Sequence, residues 1–321
     1  MKVKHLINSY DFDLAEMKTI FELAKKIKRN PAAYYDHLRG KVAALVFEKP
    51  SVRTRVSFAA GFVSLGGSVI YLGPSDVQIG VREEVRDIAR SLSRYVDAAV
   101  LRTFSHESIL EFAQYFEKPV INGLSNLEHP CQAYGDFFTM EEVLGGTRGR
   151  KISYVGDPNN VCNSLLLVAA RLGAHFSLAT PAKFKIDPKI LALAKKEAVR
   201  TKSRLDFSSN PESAVKGADI IYTDVWVSMG EEEKAAQKRH ELRGFQVNSK
   251  LIAKAKKDVK VMHCLPAHRG EEITNDVMEG KASIIFDQAE NRLHVQKAIL
   301  VYLFGSNVYR PYSVSKKGSH L

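Results

Sequence analysis

Ser51-Val52-Arg53-Thr54-Arg55 packs two hydroxyls and two guanidinium groups into one short string. Fixed positive charge with a planar donor fork suits phosphate oxygens, and hydroxyls add donors. Arg102 is a further cation, and His129-Pro130-Cys131-Gln132 offers an imidazole and an amide that can hydrogen-bond a carbonyl. Together these residues suit a small acyl phosphate. A different set falls later in the chain: Asp157-Pro158-Asn159-Asn160, then Asp224 followed by Ser228-Met229-Gly230, then His263-Cys264-Leu265-Pro266. An acid, a thiol, an amide such as Asn160 and a turn N–H are what a zwitterionic amino acid with a second amine needs. Each string also has a plainer reading. S-x-R-T-R fits a capped helix with two solvated arginines, a His-Pro pair is often structural, and a lone cysteine is often a buried core residue.

The elements around these strings decide between the readings. Lys41–Phe47 is a short apolar run that reads as a buried strand, and Val56–Leu65 carries apolar residues at helical spacing. Strand, polar turn and helix present free N–H groups at a helix N-terminus, which favours an anion. No Walker-type or GxGxxG glycine pattern is present. Further strands are expected at Val69–Leu72, Ala98–Leu101 and Val120–Gly123, with helices at Asp13–Lys28 (capped by Asp11 or Asp13), Glu83–Tyr95 and Ser108–Phe116. The polar stretch Asp76–Arg82 reads as a loop, and Ala133–Val143 as a helix. After Gly145-Gly146-Thr147-Arg148-Gly149 a second series begins, with strands expected at Lys151–Asp157, Ala174–Ala179, Leu205–Phe207, Ile220–Asp224, Val259–Cys264 and Ile284–Asp287. A last helix is expected over Asn291–Leu303, followed by a polar tail, Ser313–Leu321. The alternation predicts an α/β protein of two doubly wound parallel-sheet domains, with the C-terminal helix packing back toward the first. The expected domains are residues 1–132, completed by a helix at about 291–310, and residues 133–290. In such sheets ligands bind at strand C-terminal ends, where every candidate residue falls.

Composition narrows the classes. The chain has 321 residues, 45% of them hydrophobic, and no apolar run long enough to span a bilayer. Met1–His5 leads into no apolar leader, and Cys131, Cys162 and Cys264 show no framework spacing, so a reduced cytoplasmic setting is expected. Without CxxC or paired Cys/His spacing, no zinc or other metal is expected. The net charge of +11, from 47 basic and 36 acidic residues, raises the question of nucleic acid. Basic clusters such as Lys254–Lys257 read as solvated helix faces, and no aromatic–arginine interleaving is present, so no nucleic-acid partner is expected.

S-x-R-T-R, an arginine after the third strand and H-P-x-Q together resemble the carbamoyl-phosphate signature of the aspartate and ornithine transcarbamoylases. Val52 stands where many relatives carry threonine. D-x-x-x-S-M-G and H-C-L-P resemble the ornithine carbamoyltransferase branch of that family, as does Glu290–Lys297 with its Arg292. The resemblance implies transfer of a carbamoyl group from carbamoyl phosphate to the δ-amine of L-ornithine, giving L-citrulline and phosphate, with no cofactor. It implies that Ser51, Val52, Arg53, Thr54, Arg55, Arg102, His129, Gln132, Cys264, Leu265 and Arg292 meet carbamoyl phosphate. It further implies that Asn160, Asp224, Ser228 and Met229 hold ornithine, with Cys264, Asp224, Arg102 and His129 catalytic. Gln78 resembles the residue that relatives insert into a neighbouring subunit's site, which implies a homotrimer. A cis Leu265–Pro266 bond is expected, since X–Pro disfavours cis only weakly. The alternatives are a sister transcarbamoylase acting on putrescine or an N-acylated ornithine, and a non-catalytic binding homologue.

Overall fold

The computed structural model describes residues 4–77, 82–228 and 230–305. Gln78, Met229 and the tail Ser313–Leu321 therefore lie outside the described residues. Among the described residues nine strands form two sheets in which every pair is parallel. The first holds β1 (Val42–Phe47), β2 (Ser68–Leu72), β3 (Ala98–Arg102) and β4 (Val120–Leu124) in the order β2-β1-β3-β4. The second holds β5 (Lys151–Val155), β6 (His175–Ala179), β7 (Leu205–Ser208), β8 (Ile220–Thr223) and β9 (Lys260–His263) in the order β7-β6-β5-β8-β9. In each sheet the chain winds outward on one side, returns to the middle and winds outward on the other. The reversal falls between β1 and β3 in one sheet and between β5 and β8 in the other. Those are the crevices in which open α/β sheets hold ligands.

Local sequence fixes the ends of these elements. Leu14–Arg29 is a helix opened by a capping box, with Asp13 and Glu16 each bonding the other's backbone N–H. Asp11, the other expected cap, instead accepts from the N–H groups of Ile7 and Asn8. Ser51 caps the helix Val52–Ser64, its side chain accepting from Thr54 N at 3.3 Å. Glycines in left-handed conformation close the helices Pro130–Leu144 (Gly145, φ 70°) and Asn160–Leu172 (Gly173, φ 77°). Part of the stretch expected as a loop at Asp76–Arg82 is a short helix, Pro74–Val77.

The expected strand at Ile284–Asp287 is a correction. The stretch Ala282–Ile284 makes two backbone bonds to Val261 at the edge of β9: Ile284 N donates to Val261 O, and Val261 N donates to Ala282 O. The helix Ile285–Phe304 then starts at once. Two isoleucines and a phenylalanine in a row read as β, yet burial of Ile285 against the second sheet's core serves a helix equally well. The last helix thus begins six residues before its expected start at Asn291 and crosses back against the first half of the chain. There Gly61 faces Leu293 and Lys297, and Gly135 faces Arg292. The expected division at 132/133 runs through the helix Pro130–Leu144, which carries the chain from the first sheet to the second.

Candidate active site

The C-terminal ends of both sheets open into one cleft of about 1210 Å³. On the first sheet's side, β1 leads into the turn at Ser51 and the helix beyond it. The β1–β3 register sets Arg102 opposite Phe47, and Glu48 N donates to Arg102 O at 2.8 Å. This brings Arg102 beside the turn. Arg292 arrives from the last helix: Nη2 donates to Thr54 Oγ1 (2.9 Å) and Nη1 to Gln132 Oε1 (2.8 Å). Ser51, Arg53, Thr54, Arg102, Gln132 and Arg292 all line the cleft. Three guanidinium groups in one half-buried space repel one another. Burial, then Arg292 and Arg53, bring the Arg102 pKa down to about 10. Among the described residues its buried Nε finds no partner, and neither does His129 Nδ1. Burial, then Arg292, Arg102 and Lys49, push His129 well below the usual histidine range, so its ring is neutral at pH 7. Unpartnered donors and crowded cations facing a cleft are the makings of an anion site.

On the second sheet's side, Asp224 follows β8 and Cys264 follows β9. Cys264 Sγ donates to Asp224 Oδ1 at 2.9 Å, and Asn159 Nδ2 donates to Asp224 Oδ2 at 2.7 Å. Burial, then the Asp224 charge, push the Cys264 thiol up well above the usual range, so it is a thiol and a donor. The neighbouring Leu265–Pro266 bond is cis, as expected, and Leu265 sits at φ 59° on the cleft wall. His263 is buried and does not line the cleft. Its Nδ1 accepts from Leu265 N (2.8 Å), and its Nε2 lies 3.0 Å from Glu272 Oε1.

Not every expected residue falls where its string suggested. Arg55 does not line the cleft; its guanidinium stacks 3.7 Å from the Tyr71 ring centre. The Val52 side chain is 76% exposed at the cleft mouth. Asn160 lines the cleft, but its amide donates to Ser125 O at 2.6 Å and ties the second half to the first. Ser228 lines it too, its N–H accepted by Glu231 Oε2 at 3.2 Å. Lys49 and Asn159 are among the lining residues left unassigned in the sequence. Lys49, buried over the Phe104 ring, has its pKa brought down to about 8 by burial and then by Arg102. Asn159, rather than Asn160, is the amide that touches Asp224. Lys49 stands two residues before the anion string, and that position was the one signal available for it.

A parallel double sheet with an arginine cluster facing an acid–thiol pair is the architecture of a two-domain group-transfer enzyme. The sequence model for the aspartate/ornithine carbamoyltransferase carbamoyl-P binding domain matches residues 4–142, and that for the Asp/Orn binding domain matches residues 148–303. The chain belongs to the aspartate/ornithine carbamoyltransferase family. It is 49% identical over 311 residues to the ornithine carbamoyltransferase of Archaeoglobus fulgidus, covering 96% of this chain and 100% of that one. It is 45% identical to the anabolic ornithine carbamoyltransferase of Pyrococcus furiosus, over 94% of this chain and 96% of that one. Among solved structures, ornithine carbamoyltransferase from Pyrococcus furiosus superposes with a TM-score of 0.91 at 45% identity (94% and 97% of the chains). The anabolic enzyme of Campylobacter jejuni superposes at 0.90 and 40% (94% and 98%).

Proposed function

We propose that this protein transfers the carbamoyl group of carbamoyl phosphate to the δ-amine of L-ornithine, releasing L-citrulline and phosphate. The observation that carries the reading is one cleft in which Arg53, Arg102 and Arg292 face the Cys264–Asp224 pair. The first sheet with the last helix forms the carbamoyl-phosphate half, and the second sheet the ornithine half. Ser51, the Val52 N–H, Arg53, Thr54 and Arg292 hold the phosphate at the helix N-terminus. Arg102, His129 and Thr54 donate to the carbamoyl oxygen as it gains charge, and Gln132 and the Leu265 backbone hold the carbamoyl amide. A neutral His129 is suited to this, since it donates without adding a further charge to the cluster.

Ornithine enters from the other side. Its α-ammonium pairs with Asp224, and Asn160, Ser228 and the Met229 N–H take its remaining polar groups. The δ-amine has a pKa of about 10.4 in water and must lose its proton to attack. The arginine cluster disfavours a second cation and so favours the neutral amine. Cys264, held as a thiol by burial and Asp224, orients the amine rather than removing its proton. The amine nitrogen bonds to the carbonyl carbon, the C–O bond to phosphate breaks, and phosphate leaves with the amine proton. Carbamoyl phosphate is already activated, so the step needs no cofactor.

The finer assembly belongs to the same proposal: a cyclic homotrimer in which Gln78 of one chain completes a neighbour's phosphate site. Val52, Val56 and Val63 form an exposed apolar row on the helix beside the cleft mouth, which supports a subunit-covered face. Among the described residues no helix is long and apolar enough to cross a membrane. The deciding experiment is a citrulline assay with carbamoyl phosphate and L-ornithine, run beside putrescine and N-acetylornithine. Citrulline formation with ornithine strongly preferred is expected. Preference for either analogue, or no turnover with any of the three, overturns the reading.

A further inference from the structure

Two helices meet beneath the arginine cluster in a ladder of side-chain bonds. The helix Pro130–Leu144 supplies Gln132 and, one turn on, Asp136. The helix Ile285–Phe304 supplies Gln288 and, one turn on, Arg292. Residues four apart share a helix face, so the pairs meet as two rungs. The upper rung is Arg292 Nη1 to Gln132 Oε1 at 2.8 Å, and the lower is Gln288 Nε2 to Asp136 Oδ1 at 2.7 Å. Gln132 Nε2 also donates to Asp136 Oδ1 at 2.8 Å, which joins the rungs. The helices come this close because Gly135 lies at the crossing; a Cβ there would stand 3.2 Å from Arg292 Cα.

The lower rung is anchored in the second sheet. Tyr222 OH, from β8, donates to Asp136 Oδ2 at 2.9 Å, and Gln288 Oε1 accepts from His263 N at 2.9 Å, one residue before Cys264. Asp136 and Gln288 are 0% and 1% exposed, and neither lines the main cleft. No lysine or arginine among the described residues forms an ion pair with Asp136. Burying a carboxyl without a cation is unfavourable unless hydrogen bonds satisfy it. Here three donors do so, and a fully satisfied buried network holds one arrangement where apolar packing tolerates several.

We infer that Asp136, Gln288 and Tyr222 form a positioning hub for the carbamoyl transfer proposed above, on which this inference rests. The hub sets the Arg292 guanidinium against Thr54 and, through the His263 N–H, fixes the end of β9 that presents Cys264. One set of bonds thereby spaces the phosphate-holding and amine-orienting groups relative to each other. Misplacement by about 1 Å far from the reacting atoms can lower a rate on the order of a hundredfold.

The test is Gln288→Met, which keeps the chain length and removes the side-chain bonds to Asp136, Tyr222 OH (3.1 Å) and His263 N, measured as citrulline formation with wild type alongside. A fall in kcat of about fivefold or more is expected, with the KM for ornithine changed by less than about twofold, because the hub touches neither substrate. In an Arg292→Lys background the same change is expected to add less than about twofold, because the relay is already broken there. A smaller fall in kcat, a loss confined to KM, or full additivity with Arg292→Lys overturns the hub while wild-type activity keeps the parent reading intact. Wild type without citrulline formation overturns both. Should Gln288→Met not melt cooperatively, Tyr222→Phe, which removes one oxygen from the hub, is judged by the same criteria.

Discussion

Cys264 tests the division of labour inside the cleft. In the proposed mechanism this thiol, donating to Asp224, orients the amine and stays clear of the phosphate. Cys264→Ala is expected to lower kcat on the order of 10²-fold, within the range for a lost proton-positioning group, and to leave carbamoyl-phosphate affinity within about twofold of wild type. Steady-state kinetics and calorimetry on the same preparation separate the two effects. Lys49 makes a prediction with a sign. Burial and Arg102 hold its pKa at about 8, so it is charged below that pH and neutral above it. A dianion favours the charged form, so carbamoyl-phosphate affinity is expected to weaken as pH rises through the region around 8. Lys49→Arg, charged throughout, is expected to flatten that inflection; an unchanged pH profile would count against Lys49 as a phosphate contact. Truncating Arg102 to alanine removes a charge from the middle of the cluster. It is expected to lower kcat/KM by about 2–5 kcal/mol in transition-state terms, the range for a buried charge partner.

The helix crossing at Gly135 is the prediction that belongs to the elements. Gly135→Ala places a methyl 3.2 Å from the Arg292 backbone, where no flexible side chain can yield. Overpacking of this kind costs about 1–3 kcal/mol, so a lower melting temperature by calorimetry is expected. Much of this architecture was legible from pattern alone. Runs such as Ala98–Leu101 and Val42–Phe47 are apolar on both faces, as strands of a covered parallel sheet must be, and the motifs fell at their C-terminal ends. The run at Ile284 misled because β-branched and aromatic residues served a helix start packed on the sheet edge. The strings also could not tell Asn159 from Asn160, or show Arg55 turned onto Tyr71. Neighbours in sequence diverge at a helix start, and only the backbone path decides which side chain enters the cleft. The Asp136–Gln288 rung joins residues 152 positions apart, and no local periodicity encodes such a bond.

At the scale of the assembly, the proposed trimer shares its sites between neighbours. Gln78→Ala and Arg102→Ala damage opposite sides of one boundary. When the two inactive variants exchange subunits, hybrids contain boundaries with Arg102 from one chain and Gln78 from the next. Partial recovery of activity is expected in a mixing assay, with light scattering reporting a trimer. Demonstrated exchange without recovery would exclude the shared site.

The bond from Arg292 to Thr54 closes a span of 238 residues. During translation, domains fold as they leave the ribosome, beginning with the N-terminal one. The nascent chain can therefore complete both sheets while the last helix is still inside the exit tunnel. Until that helix emerges and docks, the turn at Ser51 lacks the Arg292 guanidinium and the end of β9 lacks its bond to Gln288. Catalytic competence thus arrives as a late step of biosynthesis, after most of the fold is already built.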